Sequence, residues 1–305
     1  MQRVGFIYDD IFLRHETPPG HPETKERLIH VISALKDAGL WDMLIHIKPF
    51  RASSDDIALV HTREYFEKIK DHGTGFLDYE TYMSKDSFEA ALYAAGSVIE
   101  AIKKCTGKEI QRAFCAVRPP GHHASSNRTS GFCIFNNVAI GARFAQKIGY
   151  KRVLIIDFDV HHGDGTQHIF EEDDTVFYFS THQYPLYPGT GDDLERGKGK
   201  GEGFTYNVTM QAGSGDKEYI YVYQNVLPEI ARKFKPDLIL VSAGYDIHMN
   251  DPLADIRVSN EGVRSIVQNI LSCTMKSVLF VLEGGYDLTA LGDSVRITIE
   301  EMLKD

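Results

Sequence analysis

The sequence predicts an α/β protein of three layers, α/β/α, in which a central parallel β-sheet lies between two layers of helices. Short apolar runs with little polar alternation recur along the chain, which is typical of strands buried on both faces. Longer amphipathic segments separate these runs, and that alternation favours parallel strands joined by helical connections. In such a sheet, ligands bind beyond the carboxyl ends of the strands.

Each strand is predicted where apolar residues follow one another, and each helix where they recur at helical spacing. The first predicted helix ends at Gly39, a residue type that commonly follows the last helical turn. In chain order, the predicted strands are residues 4–8, 113–117, 152–157, 175–180, 237–243 and 277–282. The predicted helices are residues 23–38, 87–104, 137–148, 217–233, 261–272 and 289–303.

The composition is that of a packed globular protein. Of the 305 residues, 43% are hydrophobic and 25% are charged, which excludes a disordered tail or a fibrous repeat. We find no internal repeat, low-complexity tract or linker, and the glycine-rich, charged run at 189–203 is predicted to be a surface loop. We therefore expect one domain over residues 1–305.

Charge and cysteine usage exclude several classes of protein. With 33 Lys and Arg against 43 Asp and Glu, the formal net charge is −10, which does not suit direct binding of nucleic acid. No run approaches the roughly 20 apolar residues of a membrane span, and the amino terminus carries no secretory signal. The four cysteines are scattered without a Cys-x-x-Cys motif, which indicates reduced thiols in a cytoplasmic protein.

Acids, histidines or a tyrosine follow five of the predicted strands. Because the carboxyl ends of parallel strands meet at one edge of the sheet, we expect these polar segments to converge there. This convergence is the strongest inference from the residues alone. The five segments are residues 118–123, 157–166, 180–182, 243–246 and 283–287.

A divalent metal site is predicted at the strand that ends near residue 157. Asp157, Asp159 and His161 alternate, so in extended backbone they point to one side. Two buried carboxylates so close repel each other, and a cation resolves that repulsion. Mixed oxygen and imidazole ligands favour zinc or iron(II), and Asp246 is the candidate third ligand. Three protein ligands leave a position open for catalysis; the alternative is an acidic loop that caps the next helix.

His122 and His123 are consecutive, after a loop fixed by prolines and a glycine, so both can be presented to one site. Either could act as general base or general acid. Asp157 and Asp164 are the carboxylates available to hold their tautomers. The alternative is a pair of ordinary surface histidines.

Tyr286 follows two glycines at the end of a predicted strand. A phenol there could donate a hydrogen bond to a carbonyl oxygen as negative charge develops on it. Alone, such a tyrosine is more often a turn residue. Because Tyr286 accompanies the predicted metal site and the two histidines, we favour its role as a hydrogen-bond donor over that of a turn residue.

The chain resembles the zinc-dependent histone deacetylase family, and within it the class II enzymes and the bacterial deacetylase-like amidohydrolases. The motifs that carry the resemblance occur in the family's order over nearly the whole chain. They are RPPGHH at 118–123, GFCIFNN at 131–137, DFDVHHGDGTQ at 157–167, SAGYD at 242–246, DPL at 251–253 and LEGGYD at 282–287.

The resemblance implies an arginase/deacetylase-like fold with a central parallel sheet of about eight strands. It implies Zn²⁺, with Fe²⁺ as the alternative metal, held by Asp159, His161 and Asp246.

The catalytic residues implied by the resemblance are the tandem histidines, the carboxylates behind them and the tyrosine. Asp157 would lie behind His122, Asp164 behind His123, and Tyr286 would hydrogen-bond the scissile carbonyl. One histidine would take the proton of the attacking water and one would protonate the leaving amine, with the assignment left open because neighbouring histidines titrate as a coupled pair.

Members of the family also bind K⁺ through oxygen atoms near the metal loop. A cation there would steady the loop electrostatically. The matching positions are Asp157, Asp159, His161, Ser180 and Thr181.

The resemblance further implies a narrow substrate tunnel. Phe132 and Tyr187 occupy the positions of its walls, where many relatives have Phe in place of Tyr187. Gly131 would accept a hydrogen bond from the substrate amide through its backbone, and Leu253 would lie at the rim. Leu253 stands near the position where acetylpolyamine-selective relatives carry a glutamate. The absence of that glutamate from this chain favours acyl-lysine in peptides or proteins as the substrate.

Other functions remain open at this stage. Acetylated small amines are the alternative substrates. By the resemblance, Asp78 or Glu80 corresponds to an acidic rim residue that grips the substrate backbone, and the alternative is an acid of a solvated loop. A non-catalytic acyl-lysine-binding module is a further alternative. An aspartate-nucleophile phosphatase is another alternative, because Asp-x-Asp after a strand also occurs in that class. The mechanism of those enzymes does not require two consecutive histidines, which counts against this alternative. The sequence does not predict the oligomeric state.

Overall fold

Strands and helices alternate along the chain in the computed structural model, which describes residues 2–305. The strands are β1 (Val4–Ile7), β2 (Ile45–Ile47), β3 (Gly75–Phe76), β4 (Tyr82–Met83), β5 (Arg112–Cys115), β6 (Val153–Asp157), β7 (Val176–Gln183), β8 (Thr205–Met210), β9 (Leu238–Ala243) and β10 (Ser277–Leu282). The α-helices are α1 (Glu26–Asp37), α2 (Ser54–Ile57), α3 (Arg63–Asp71), α4 (Ser87–Thr106), α5 (Asn137–Lys147), α6 (Asp164–Phe170), α7 (Asp216–Asn225), α8 (Leu227–Phe234), α9 (Asn260–Ser272) and α10 (Leu288–Leu303).

Eight of these strands form one sheet in the order β2-β1-β5-β10-β9-β6-β7-β8, and every neighbouring pair is parallel. Helices flank the sheet: α1, α10, α9 and α7 pack in a row, and α4 packs on α5. β3 and β4 form a separate antiparallel ribbon. The prediction of a three-layer α/β/α fold with a parallel sheet of about eight strands is therefore confirmed.

The central strands are apolar because both of their faces are covered. Every residue of β6 and β9 is buried, and so is all of β10 except its first residue, Ser277. This explains why the sequence shows continuous apolar runs here rather than alternation. The carboxyl ends of these strands carry the polar segments described below.

Two strands of the sheet were not predicted, and both lie at its edges. β2 buries only Ile47, while Ile45 and His46 are exposed. β8 mixes polar and apolar residues, as in Thr205 and Asn207. Edge strands are covered less completely, so neither contains the uninterrupted apolar run by which the other six were recognised.

The prediction of one helix at 217–233 is wrong, because α7 ends at Asn225 and α8 begins at Leu227. Pro228 lies in the first turn of α8, where its missing N–H costs nothing, whereas inside a continuous helix it would remove a hydrogen bond. The first predicted helix starts at Glu26 rather than at residue 23. α3 and α6 were not predicted.

None of the helices in the described part of the chain combines the length and apolar character needed to cross a bilayer.

Candidate active site

Of the five polar segments predicted to converge, those that follow β5, β6, β9 and β10 meet at the carboxyl edge of the sheet, whereas residues 180–182 lie within β7, which extends to Gln183. β10 lies between β5 and β9, and β9 pairs with β6. Asp157 at the end of β6 lies opposite Ser242 of β9 and Ser180 of β7. Residues separated by more than a hundred positions therefore share one site.

Asp159, His161 and Asp246 form a compact group whose ligand atoms lie within 4.8 Å of one another. His161 Nδ1 is 3.0 Å from Asp159 Oδ1 and 3.3 Å from Asp246 Oδ2. Asp246 Oδ1 accepts a hydrogen bond from the backbone N–H of Val160 at 2.9 Å, but its Oδ2 is buried without a hydrogen-bond partner among residues 2–305. A buried oxygen without a donor is an available ligand atom.

The charges in this group are strongly perturbed. Burial, together with the negative charge of Asp159, raises the pKa of Asp246 to about 7. Burial acts the same way on Asp159, but the charge of His122 and the hydrogen bond with His161 outweigh it and lower the pKa of Asp159. Burial opposes protonation of His161, yet its two carboxylate neighbours raise its pKa to about 10.

In the metal-free protein, a proton on His161 therefore offsets the two carboxylates. A divalent cation can take over that role, because one imidazole and two carboxylates are a ligand set that suits zinc. The residues present thus fit the metal that the resemblance implies.

Two glycines allow the surrounding backbone to approach the carboxylates closely. A Cβ on Gly244 would lie 2.1 Å from Asp159 Oδ2, and one on Gly284 would lie 2.2 Å from Asp246 Oδ2. The Gly284 N–H donates to Asp159 Oδ2 at 2.9 Å. A side chain at either position would displace the carboxylates of Asp159 and Asp246, since contacts this short do not occur for real Cβ atoms.

The two consecutive histidines each have a carboxylate behind them. His122 Nδ1 lies 3.1 Å from Asp157 Oδ2, and His123 Nδ1 lies 2.7 Å from Asp164 Oδ1. His122 Nε2 lies 3.8 Å from Asp159 Oδ2, next to the candidate metal ligands. With Nδ1 bonded in both rings, Nε2 is the atom that each ring can offer to a substrate.

The surroundings separate the proton affinities of the two rings. Burial and the neighbouring His122 lower the pKa of His123 to about 4. Burial also opposes a charge on His122, but Asp159 and Asp157 raise its pKa well above the usual value. In such a pair, His122 can hold a proton while the neutral ring of His123 accepts another.

Tyr286 lines the same cavity as His122 and His123, which belong to the histidine loop, residues 118–123. Its backbone N–H donates to Asp251 Oδ2 at 2.7 Å, and its ring packs edge to face on Phe132 with centroids 6.1 Å apart. The Arg27 guanidinium lies 5.1 Å from the ring centroid. Burial raises the pKa of Tyr286 well above its usual value, so the phenol stays protonated and able to donate.

A cavity of about 270 Å³ joins these groups to the surface. Its wall includes Gly131, Phe132, Tyr187 and Leu253, the four residues predicted to contact substrate, and its base includes both histidines and His161. Phe132 has φ +67°, a left-handed conformation that a bulky residue rarely adopts. Strain of this kind concentrates at functional sites.

The acidic residue at this cavity is Glu80, which is part of its lining. Asp78 instead closes a turn, because its Oδ1 accepts hydrogen bonds from the backbone N–H groups of Glu80 and Thr81 at 3.0 and 2.7 Å. Of the two candidates for an acidic rim, the structure therefore selects Glu80.

The positions expected to bind K⁺ are contiguous in the structure. Asp157 lies opposite Ser180 in the β6–β7 register, with Asp159 and His161 just beyond the end of β6. The Ser180 and Thr181 side chains are buried, and Thr181 Oγ1 lies 3.0 Å from the Tyr223 hydroxyl.

Sequence reasoning gave no role to Glu283 and Asp251, although both fall within the motifs of the family. Asp251 holds the Tyr286 backbone, and Glu283 Oε2 accepts from the Gly121 N–H at 2.6 Å. Their presence in LEGGYD and DPL was the only signal, because these contacts join distant segments of the chain.

A second cluster of potential metal ligands contains His122, Cys133 and Glu283. Each side chain is already engaged: His122 Nδ1 by Asp157, Glu283 by the Gly121 N–H, and the Cys133 thiol by the backbone oxygen of Gly131. In the first cluster, by contrast, Asp246 Oδ2 has no hydrogen-bond partner in the described part of the chain, which favours that cluster as the metal site.

A model of the histone deacetylase domain matches residues 21–302. The chain belongs to the histone deacetylase family. Among its relatives in this family, a probable deacetylase of Methanothermobacter thermautotrophicus is 44% identical over 90% of this chain and 83% of its own length. A probable deacetylase of Archaeoglobus fulgidus is 39% identical over 93% of this chain and 82% of its own length.

Eukaryotic members of the family are also similar. Histone deacetylase 5 of Arabidopsis thaliana is 36% identical over the whole of this chain, which spans 49% of that longer protein. The crystal structure of the HDA15 HD domain superposes with a TM-score of 0.95 at 35% identity, covering 99% of this chain and 91% of the other. Both sequence and fold therefore place the chain among deacetylases of the hydrolase class.

Proposed function

We propose that this protein is a zinc-dependent amidohydrolase that removes acetyl or other acyl groups from lysine side chains of peptides or proteins. One observation carries the proposal. The buried group Asp159, His161 and Asp246 adjoins the His122–His123 pair, and His161, both of these histidines and Tyr286 line one cavity.

Zinc bound at this group would supply an electrophile for the amide carbonyl and a water of lowered pKa. His123 has a lowered pKa, so its neutral Nε2 can accept the proton of the attacking water while Asp164 holds Nδ1. The Tyr286 hydroxyl donates to the carbonyl oxygen as it becomes negative. The histidine pair then returns a proton to the leaving amine, and the carboxylic acid product departs.

The cavity walls support a long, apolar substrate arm. Phe132, Tyr187 and Leu253 present carbon surface along the cavity, which suits the methylene chain of an acyl-lysine. Leu253 at the rim favours a lysine within a peptide. A specific observation supports acetylated small amines as the second candidate: the Glu80 carboxylate lines the same cavity and would attract a free ammonium group.

We also propose that K⁺ binds at oxygen atoms of Asp157, Asp159, His161, Ser180 and Thr181, where it would steady the loop that carries the zinc ligands. The pairing of Asp157 with Ser180 in the β6–β7 register, with Asp159 and His161 just beyond the end of β6, supports this proposal.

The test is a steady-state assay of the zinc-loaded protein on fluorogenic acetyl-lysine amides, acetylpolyamines and longer acyl-lysine peptides. We expect release of the amine, loss of activity on zinc chelation, recovery on zinc addition and inhibition by a hydroxamate. Higher kcat/KM on acetylpolyamines would favour the small-amine candidate. Substrate binding without turnover, or phosphatase activity in place of amidase activity, would contradict the proposal.

A further inference from the structure

Glu283 is a buried carboxylate that the proposed reaction does not use directly. It follows β10, the strand between β5 and β9, and its side chain is fully buried. Its backbone is fixed, because its N–H donates to the backbone oxygen of Ala243 at 3.0 Å and its own oxygen accepts from Arg27 at 2.6 Å. A buried carboxylate must be compensated by hydrogen bonds or opposite charge.

The compensating groups are backbone N–H groups of the histidine loop. Glu283 Oε2 accepts from the N–H of Gly121 at 2.6 Å and from the N–H of His122 at 3.2 Å. Its other oxygen, Oε1, accepts from the hydroxyl of Ser242 in β9 at 3.1 Å. A single side chain thus joins the histidine loop to the strand that leads to Asp246.

The histidine loop is closely confined at this point. A Cβ on Gly121 would lie 2.6 Å from the backbone nitrogen of Asn137, so the loop lies directly against the start of α5. The Asn137 side chain also donates to the backbone oxygen of Pro119 at 3.2 Å. The backbone of the loop is therefore held by contacts with α5 and with Glu283.

We propose that Glu283 is a positioning residue: by accepting the N–H groups of Gly121 and His122, its carboxylate orients the histidine pair toward the metal ligands and the scissile amide. This inference rests on the proposed amidohydrolase function. It concerns the length and acceptor geometry of the side chain rather than its charge, and that distinction can be tested with two conservative variants.

Glu283→Gln and Glu283→Asp form a matched pair. Glutamine keeps the length and one acceptor oxygen for both N–H groups, and its amide can donate to Ser242. Aspartate keeps the charge but draws the carboxylate back by one carbon–carbon bond. Because displacements of about 1 Å can cost about a hundredfold in rate, we expect kcat of Glu283→Asp to fall at least about tenfold. We expect Glu283→Gln to stay within about threefold of wild type, since its acceptor is retained.

The experiment measures kcat and KM on an acetyl-lysine amide, zinc content, and hydrogen exchange of the backbone amides in residues 118–123 for wild type and both variants. Positioning predicts lower kcat with unchanged KM and zinc content, and faster exchange, only in Glu283→Asp. An unimpaired Glu283→Asp, or equal impairment of both variants, would overturn the role of Glu283. Absence of turnover in the wild-type protein would instead overturn the proposed function, and the exchange data would still test the contact.

Discussion

Tyr286 is fixed by its backbone and by the faces of its ring. The Asp251 carboxylate accepts its N–H, Phe132 packs against the ring, and the Arg27 guanidinium lies 5.1 Å from the ring centroid. Because the side chain is already ordered by these contacts, little conformational entropy would be lost when its hydroxyl donates to the oxyanion in the transition state. Its contribution is therefore expected in kcat rather than in substrate binding.

Tyr286→Phe should lower kcat by about 10² to 10³, because it removes a single hydrogen-bond donor to the developing oxyanion. KM should change little, since the ring and its contacts remain. Steady-state kinetics on an acetyl-lysine amide measures both. Tyr221→Phe, which alters a tyrosine that is 65% exposed, is the matched control. A Tyr286→Phe enzyme with near-wild-type kcat would remove the hydroxyl from the mechanism.

Asp246→Ala should lower zinc content, because it removes a carboxylate whose Oδ2 is otherwise buried without a donor in the described structure. Elemental analysis of the purified protein measures the metal. Asp42→Ala, at an exposed aspartate, should keep the wild-type zinc content. Full zinc occupancy in Asp246→Ala would exclude Asp246 from the ligand set.

Zinc affinity should rise with pH. His161 has a pKa raised to about 10 in the metal-free protein, so at neutral pH zinc must displace a proton from its imidazole. Release of the His161 proton corresponds to about a tenfold gain in affinity per pH unit, and below about pH 7 the proton on Asp246, whose pKa is raised to about 7, should make the slope steeper. Competition with a chromophoric chelator at several pH values between 6 and 8 measures this slope. A pH-independent affinity would show that His161 is already neutral before the metal binds.

Among the connecting segments, the one that contains Ser130 and Phe132 and the one that follows β7 both contribute to the wall of the cavity. They are joined where Ser130 Oγ lies 2.6 Å from the Tyr187 hydroxyl. Tyr187 also contacts the His123 ring edge to face, with centroids 5.2 Å apart. We therefore expect the width of the cavity to depend on this hydrogen bond, which a phenylalanine in place of Tyr187 could not make.

Tyr187→Phe should raise KM for acetyl-lysine peptides by about two- to tenfold, the equivalent of one hydrogen bond. Discrimination against longer acyl chains should weaken, because the two segments can then separate. kcat should be nearly unchanged, since the histidines and Tyr286 keep their contacts. A kcat/KM series over acyl chains of increasing length tests both effects. Identical acyl preferences in wild type and variant would show that the Ser130–Tyr187 contact does not set the cavity width.

The sequence predicts elements best where one residue pattern has one physical cause. Strands buried on both faces give continuous apolar runs, so the positions of Asp159 and Asp246 after β6 and β9 followed directly. The edge strands β2 and β8 lack that pattern. The role of Glu283 could not be predicted. Its partner is the backbone N–H of Gly121, 162 positions away, and a backbone group that every residue except proline possesses leaves no mark in the sequence.

Across the whole molecule, a buried ionic network ties the amino-terminal part of the chain to the site. Glu23 is fully buried and pairs with both Arg27 and Arg118. Arg27 in turn donates to the backbone oxygen of Gly285 at 2.7 Å, next to Tyr286. One carboxylate thus connects the start of α1, the segment after β5 and the loop after β10.

Glu23→Gln should lower the free energy of unfolding at pH 7 by about 3 to 5 kcal/mol, because it leaves two buried guanidinium groups without their counter-ion. Burial opposes ionisation of Glu23, but Arg118 outweighs it and holds the pKa of Glu23 well below its usual value. Stability from a lowered carboxyl pKa is present above the ordinary glutamate pKa and is lost as pH falls toward the folded-state value.

The difference between wild type and Glu23→Gln should therefore shrink on acidification below about pH 4.5. Urea denaturation at several pH values measures it. Glu16→Gln, at an exposed glutamate, should change stability little at any of these values. A Glu23→Gln variant as stable as wild type at pH 7 would show that the network adds no net stability.

β10 lies in the middle of the sheet yet is the last of its eight strands in the sequence. Before residue 277 has been synthesised, the strands can form only two separate ribbons, β2-β1-β5 and β9-β6-β7-β8, whose facing edges are open. Open edges of this kind invite pairing with other chains. We therefore expect the nascent protein to be prone to aggregation until β10 fills the gap between β5 and β9, and Tyr286, which follows β10, joins the site in the same step.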